Sequence, residues 1–222
     1  MRHNRQGQRS IPRNLWAFLQ ILGHVLAPWR RPWRVRWGTR PDEPSGTLPG
    51  EDLIADPSWE YTHAISIAAP PEDVWPWIAQ IGQGRGGFYS FERLENLIGC
   101  KIANADRIMP EHQTLDVGDR IRLHPTGPTL LVAVVEPGRS LVLRGVTADE
   151  TAPTTSSLWG FHVLEDGPGR SRFVERGKNV HGTSLTERLF FSPLLVEPIG
   201  FVMSREMLFG IKERAESTSA TK

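Results

Sequence analysis

Between Arg13 and Arg30 the chain reads NLWAFLQILGHVLAPW, sixteen residues with no formal charge while His24 is neutral. Leu15, Phe18, Leu19, Leu22, Val25, Leu26 and Trp29 recur at spacings of three and four, and Asn14, Ala17, Gln20, His24 and Ala27 fall opposite. That period predicts an amphipathic helix, stopped by Pro28 and Pro32. Residues 38–60 carry four Pro and three Gly without a sustained period, the pattern of a linker or surface strap. Residues 61–69, YTHAISIAA, alternate as a strand with Ile65 and Ile67 on one face. PEDVWPWIAQI follows as a helix with Pro71 in its first turn, a stripe of Val74, Ile78 and Ile81, and Pro76 as an expected kink. After a glycine turn, FYSFERLENLIG has the spacing of a second helix.

Beyond Ile108 the period becomes two. Residues 119–123, 129–136, 139–146, 157–165 and 171–179 read as strands, joined by turns such as Glu136-Pro137-Gly138-Arg139, which makes an antiparallel meander. Ser184-Leu185-Thr186-Glu187 is a capping box opening the last helical segment, Pro193 and Pro198 interrupt it, and Ile199 to about Glu216 continues as an amphipathic helix. Val202, Met203, Met207 and Ile211 are its apolar stripe. The order predicts an α+β domain: a curved antiparallel sheet, two short helices after the first strand, and one long C-terminal helix across it. The expected division is a basic arm at 1–37, a strap at 38–60, a domain at 61–216 and a disordered tail at 217–222.

Charge sharpens the division. Residues 1–40 hold nine Arg and no acid, leaving 17 basic against 25 acidic groups in the other 182 residues. A basic arm with a short apolar helix fits the headgroup layer of an anionic membrane, with Trp16, Phe18, Leu22, Trp29, Arg30 and Arg31 as contacts. Two alternatives stay open: a short, signal-like span, and a helix packed on its own domain. The expected location is cytoplasmic, with peripheral or short-anchor membrane association. No nucleic-acid-reading motif is present, so nucleic acid is not an expected partner.

Gly82, Gly84 and Gly87 in IGQGRGGFYSFE have the spacing of a dinucleotide fingerprint, but they follow a helix instead of a strand, so they read as turn makers. The seven His show no metal-ligand spacing, the single Cys100 excludes an internal disulfide, and no Gly-x-Ser-x-Gly elbow occurs. No metal and no cofactor is expected. Tyr89, Glu92, Arg93 and Glu95 cluster after the glycines, with Tyr89 and Arg93 four apart on one predicted helix face; the alternative is an ordinary solvated face. Asp106, Arg107, Glu111 and His112 sit in an irregular segment, where His112 is a candidate acid or base or simply a loop residue. Trp159, Phe161 and Val163 share one face of their strand. Glu175 and Arg176 point oppositely, and alternation does not say which is inside.

The element order, together with ISIAAPPEDVWPWIAQI, resembles the SRPBCC superfamily, the START-like and polyketide-cyclase-like helix-grip proteins, over about residues 61–216. RWGTRPDE, LPGEDLIADP, ADRIMPEHQTLDVGD and FVMSREMLFGIKERAE resemble an uncharacterised bacterial branch of it. The resemblance implies a helix-grip fold with a cavity between sheet and long helix, lined by Phe88, Tyr89, Glu92, Trp159, Phe161, Met203 and Met207. It further implies a hydrophobic small molecule or lipid as partner, bound, carried or sequestered at the membrane surface. An enzyme of the cyclase or hydratase kind using Tyr89, Glu92 or His112 is the second reading, and an interaction module with a filled core is the third.

Overall fold

The computed structural model describes residues 13–126, 129–146, 155–180 and 196–221. In chain order the elements are α1 (Arg13–Val25), α2 (Arg31–Arg34), β1 (Trp59–Ile67), α3 (Pro71–Ala79), α4 (Glu92–Leu97), β2 (Arg120–Arg122), β3 (Thr129–Glu136), β4 (Ser140–Val146), β5 (Thr155–Glu165), β6 (Ser171–Asn179) and α5 (Val196–Ser219). The six strands form one antiparallel sheet in the order β1-β6-β5-β4-β3-β2. The capping box at 184–187 and Pro193 lie outside the described residues. Pro198 does not interrupt α5; it occupies the first turn, where its missing N–H has no helical partner to lose. Likewise α3 runs through Pro76, and α5 extends to Ser219 into the stretch expected to be a tail.

Alternation sends the inner face of the sheet toward α3 and α5. Ile67, Leu141, Leu143, Phe161, Val163 and Phe173 pack there against Val74, Trp77 and Ile78 of α3 and Met207, Leu208 and Ile211 of α5. The outer face is covered as well. Ile54 from the strap packs on Val142 and Leu158, and a basic row on β6 reaches up to strap oxygens. Arg172 clamps both carboxylate oxygens of Glu43 at 2.6 and 2.8 Å. Arg176 donates to the carbonyls of Gly46 and Glu43 and pairs with Glu51, and Lys178 donates to the carbonyls of Glu51 and Ile54. Residues 38–58 are therefore a pinned strap.

The arm packs on the domain. Arg34 and Glu197 are both buried, joined by two hydrogen bonds of 2.8 and 3.0 Å, and Arg31 adds a third to the same carboxylate at 2.8 Å. Ala17 and Ile21 of α1 meet Phe201, Val202, Phe91 and Leu94. After α2 the chain runs along the free edge of β1, where the carbonyls of Val35 and Trp37 accept from the amides of Thr62 and Ala64 at 2.8 and 3.1 Å. An otherwise open sheet edge is thereby covered.

Gly210 lets α5 lie against the Tyr89 backbone, because a Cβ there would run into the Tyr89 carbonyl. Gly210→Ala is expected to lower the unfolding free energy by about 1–3 kcal/mol in urea titrations, against the small gain that this change gives in a free helix.

Candidate functional site

The glycine loop closes on itself. Gly82, Gly84 and Gly87 have φ of 127°, 75° and 78°, conformations that disfavour other residues. The amide of Gly82 donates to the carbonyl of Gly87 and the reverse, at 2.9 and 3.1 Å, so those amides are not presented to a phosphate. The next segment departs from the predicted helix. Tyr89 has φ of 57°, and Asn104 Oδ1 accepts from the amides of Phe88 and Tyr89 at 3.1 and 2.8 Å. This holds residues 88–91 out of helical geometry, so α4 starts only at Glu92 and Tyr89 and Arg93 do not share a helix face. Tyr89 instead points inside, edge-on to Trp77 with centroids 5.9 Å apart and under the Arg214 guanidinium, 4.9 Å from its ring. Burial pushes its hydroxyl up to about 12, with Gln80, Arg214 and Arg85 pulling the other way. The Gln80 amide lies beside the Tyr89 hydroxyl, and among the described residues the buried Trp77 Nε1 has no hydrogen-bond partner.

A second polar group sits deeper in the interior. Glu175 on β6 is fully buried. Its Oε1 accepts from Trp159 Nε1 at 2.7 Å, Ser204 Oγ at 2.7 Å and the Tyr61 hydroxyl at 3.2 Å, and its Oε2 lies 3.2 Å from His63 Nδ1. Tyr61 stacks on His63 with centroids 4.5 Å apart. Burial, then the Glu175 charge and hydrogen bond, hold the Tyr61 phenol well above its ordinary range. Three strands and α5 thus meet on one carboxylate. Because its oxygens are taken up by these partners, it ties the interior together and offers little acceptor capacity to a substrate.

The expected cavity residues are dispersed around these two groups. Phe88 and Trp159 face each other at 6.1 Å, Trp159 and Phe161 at 4.7 Å, and Met207 is buried in the main core. Met203 packs in the other cluster, under α1, and Ser90 Oγ donates to its carbonyl. Glu92 is exposed and accepts from the Asn104 amide at 3.1 Å, so it is not in the interior. His112 lies on a 3-10 turn, where its carbonyl accepts from Arg85 at 3.0 Å. Among the described residues no hydrogen bond links Tyr89, Glu92 and His112. The proton-transfer group required by the enzyme reading is not assembled. Glu95, not Glu92, is the buried acid of α4; burial first, then the nearby Glu92, raises its carboxyl to about 7.

A recess lies on the outer face, between strap and sheet, with an open volume of about 20 Å³ bordered by Gly50, Glu51, Val142, His162, Arg176 and Lys178. That is room for about one water. His162 there is pulled down to about 4 by burial. Among the described residues no group of three His, Cys, Asp or Glu side chains converges as metal ligands would.

The arm presents the largest departure. On a wheel of about 100° per residue, Ala17, Ile21 and His24 mark the packed side of α1. Leu15, Phe18, Leu19, Leu22 and Leu26 fall nearly opposite and are 44–66% exposed, and Trp29 is 75% exposed. Arg30 is exposed, whereas Arg31 is drawn to Glu197. No helix of the described residues is long and apolar enough to cross a membrane.

The sheet curls over one face of α5, with α3 and α4 inserted after β1. The fold is a helix grip. No protein-family model matches the sequence, and no curated protein matches it. The helix grip is similar to a self-sacrificing resistance protein, CalC, from Micromonospora echinospora: 12% identity, TM-score 0.45, covering 73% of this chain and 97% of that one. It is similar to an Hsp90 activator from Plasmodium falciparum at 12% identity and TM-score 0.44, over 69% and 94% of the two chains. It is also similar to the ZhuI aromatase/cyclase from Streptomyces sp. R1128 at 13% identity and TM-score 0.42, over 71% and 93%.

Two substitutions test the interior of the grip. Glu175→Ala strands the donors of Trp159, Ser204 and Tyr61, and urea unfolding is expected to show a loss of about 3 kcal/mol. Glu95→Gln removes a carboxyl whose folded pKa is raised. The wild-type group contributes fully below its ordinary pKa of 4.5 and loses that contribution as pH rises through about 7. The variant is therefore expected to gain on wild type by about 2 kcal/mol at pH 8, after allowance for solvent screening, and nothing at pH 4.

Proposed function

We propose that the protein works at a membrane surface, as a helix-grip domain that docks on anionic lipid through the arm. The observation that carries this reading is the orientation of α1. Its small and polar side is spent on the domain, and Leu15, Phe18, Leu19, Leu22 and Leu26 are turned to solvent. A face of this kind is costly in water and favourable in the headgroup–acyl boundary. Trp29 and Trp33, both more than half exposed, and Arg30 stand at the end of the helix, where interfacial aromatic and cationic side chains are suited. With α1 thirteen residues long, the geometry supports lying on the surface, not spanning.

Binding of a hydrophobic small molecule or lipid inside the grip is the second half of the proposal. It draws support from Trp77 Nε1, a buried donor with no hydrogen-bond partner among the described residues. The cyclase or hydratase alternative has no such support, since its acid–base candidates stand apart. The likeness of residues 36–43, 48–57, 81–99, 105–119 and 201–216 to an uncharacterised bacterial branch belongs to the same proposal and assigns no reaction.

Sedimentation of the full chain with vesicles tests the docking. Phosphatidylcholine vesicles containing phosphatidylglycerol are expected to pull the protein down, less so as salt is raised. Leu19→Glu with Leu22→Glu, both at exposed positions, is expected to weaken binding at least about tenfold while leaving the circular dichroism unchanged. Equal pelleting of the variant and wild type, or no pelleting of wild type, rejects the reading.

A further inference from the structure

Against α1 stands a guanidinium with aromatic rings on several sides. Arg205 of α5 lies 5.8 Å from the Trp16 ring centroid, 5.8 Å from that of Trp37 and 6.0 Å from that of Phe201. Trp16 belongs to α1 and Trp37 to the segment covering the β1 edge, so three separate parts of the chain converge on this one side chain. Among the described residues Arg205 donates no hydrogen bond and enters no ion pair, although it is half-buried and desolvated enough for its pKa to be lowered. Arg172 and Arg34, by contrast, are each clamped to a carboxylate.

The surroundings are positive. His24, 8% exposed, is pulled down by burial and then by the charges of Arg34, Arg30 and Arg205, which places all three cations in its field. Glu197 is shared between Arg31 and Arg34 and leaves Arg30 and Arg205 uncompensated by it. A guanidinium set against aromatic rings still carries N–H donors for an oxyanion, and its fork fits two oxygens of one phosphate. Trp16 sits at the border between the packed and outward sides of α1, 43% exposed. Arg205 therefore lies where an apolar surface meets a charged one.

We propose that Arg205, set against Trp16 and Trp37, is a headgroup site that takes the phosphodiester of an anionic phospholipid while the outward stripe of α1 lies among the acyl chains. This assignment rests on the membrane reading and specifies what that surface recognises. Arg30, exposed and, like Arg205, acting on His24 by its charge, adds a second cation near it. The occupant is a bilayer lipid and not a free anion, because the cation is continuous with an exposed apolar face that free phosphate would leave in water.

The test uses the full chain with vesicles of phosphatidylcholine alone or mixed with phosphatidylglycerol, whose net charge is its phosphodiester. Wild type, Arg205→Gln, Arg205→Lys and the Leu19→Glu, Leu22→Glu double variant are compared, and inorganic phosphate is titrated by calorimetry. Arg205→Gln is expected to weaken binding to phosphatidylglycerol vesicles about tenfold, the size of one charge-assisted pair. Arg205→Lys, which keeps the charge and loses the fork, is expected to fall between. If Arg205→Gln does not fold, Arg205→Lys decides by the same criterion. Wild-type binding by the Arg205 variants together with loss in the double variant overturns the headgroup site and leaves the docking reading standing. Undiminished binding by the double variant overturns both. Tight binding of inorganic phosphate, lost in Arg205→Gln while vesicle binding is not, reassigns Arg205 to free phosphate and overturns the lipid assignment.

Discussion

The buried pair of Arg34 and Glu197 sets the orientation of everything ahead of the sheet. Two full charges are held out of water, and each is compensated almost entirely by the other, with Arg31 completing the carboxylate. An uncompensated charge at that depth costs several kcal/mol, so sliding or rotating the arm by one position is strongly disfavoured. A hydrophobic contact would tolerate such a slip; a forked ion pair does not. Once α2 is placed, α1 has only its Ala17–Ile21–His24 side available for α5, and its leucines are left outside.

β6 plays the corresponding part for the domain. The same strand sends Glu175 inward to gather Trp159, Ser204, Tyr61 and His63, and Arg172, Arg176 and Lys178 outward to hold the strap. Each face of the sheet is thus secured by directional bonds as well as by apolar burial. Such bonds specify geometry better than they add net stability, and they leave both faces of the sheet covered.

Much of the architecture was legible in period alone. β3 and β6 have the limits that alternation predicts, and the strands and the long helix follow in the expected order. What escaped was decided by contacts between distant residues. Asn104 holds Tyr89 in a left-handed conformation and shortens α4, and no local spacing around Tyr89 announces this. Glu175 and Arg176 are both buried, on opposite faces, so the usual rule that the charged side is the wet side had nothing to separate. Glu95 was masked by Glu92, an identical carboxyl three positions away. The direction in which α1 faces was legible only as one of three readings, because spacing shows an apolar stripe without saying whether a membrane or the domain meets it.

The hydrogen bonds from Thr62 and Ala64 to the carbonyls of Val35 and Trp37 make the arm the outermost layer of the sheet, in effect its selvedge. A peripheral protein whose anchoring segment peels away on contact exchanges one fold for another. Here, peeling would unzip that border and bare a row of β1 amides to any neighbouring chain. The outward stripe of α1 and the segment that seals the sheet are continuous, so the proposed docking sets the whole body down rigid, like a stamp on its handle.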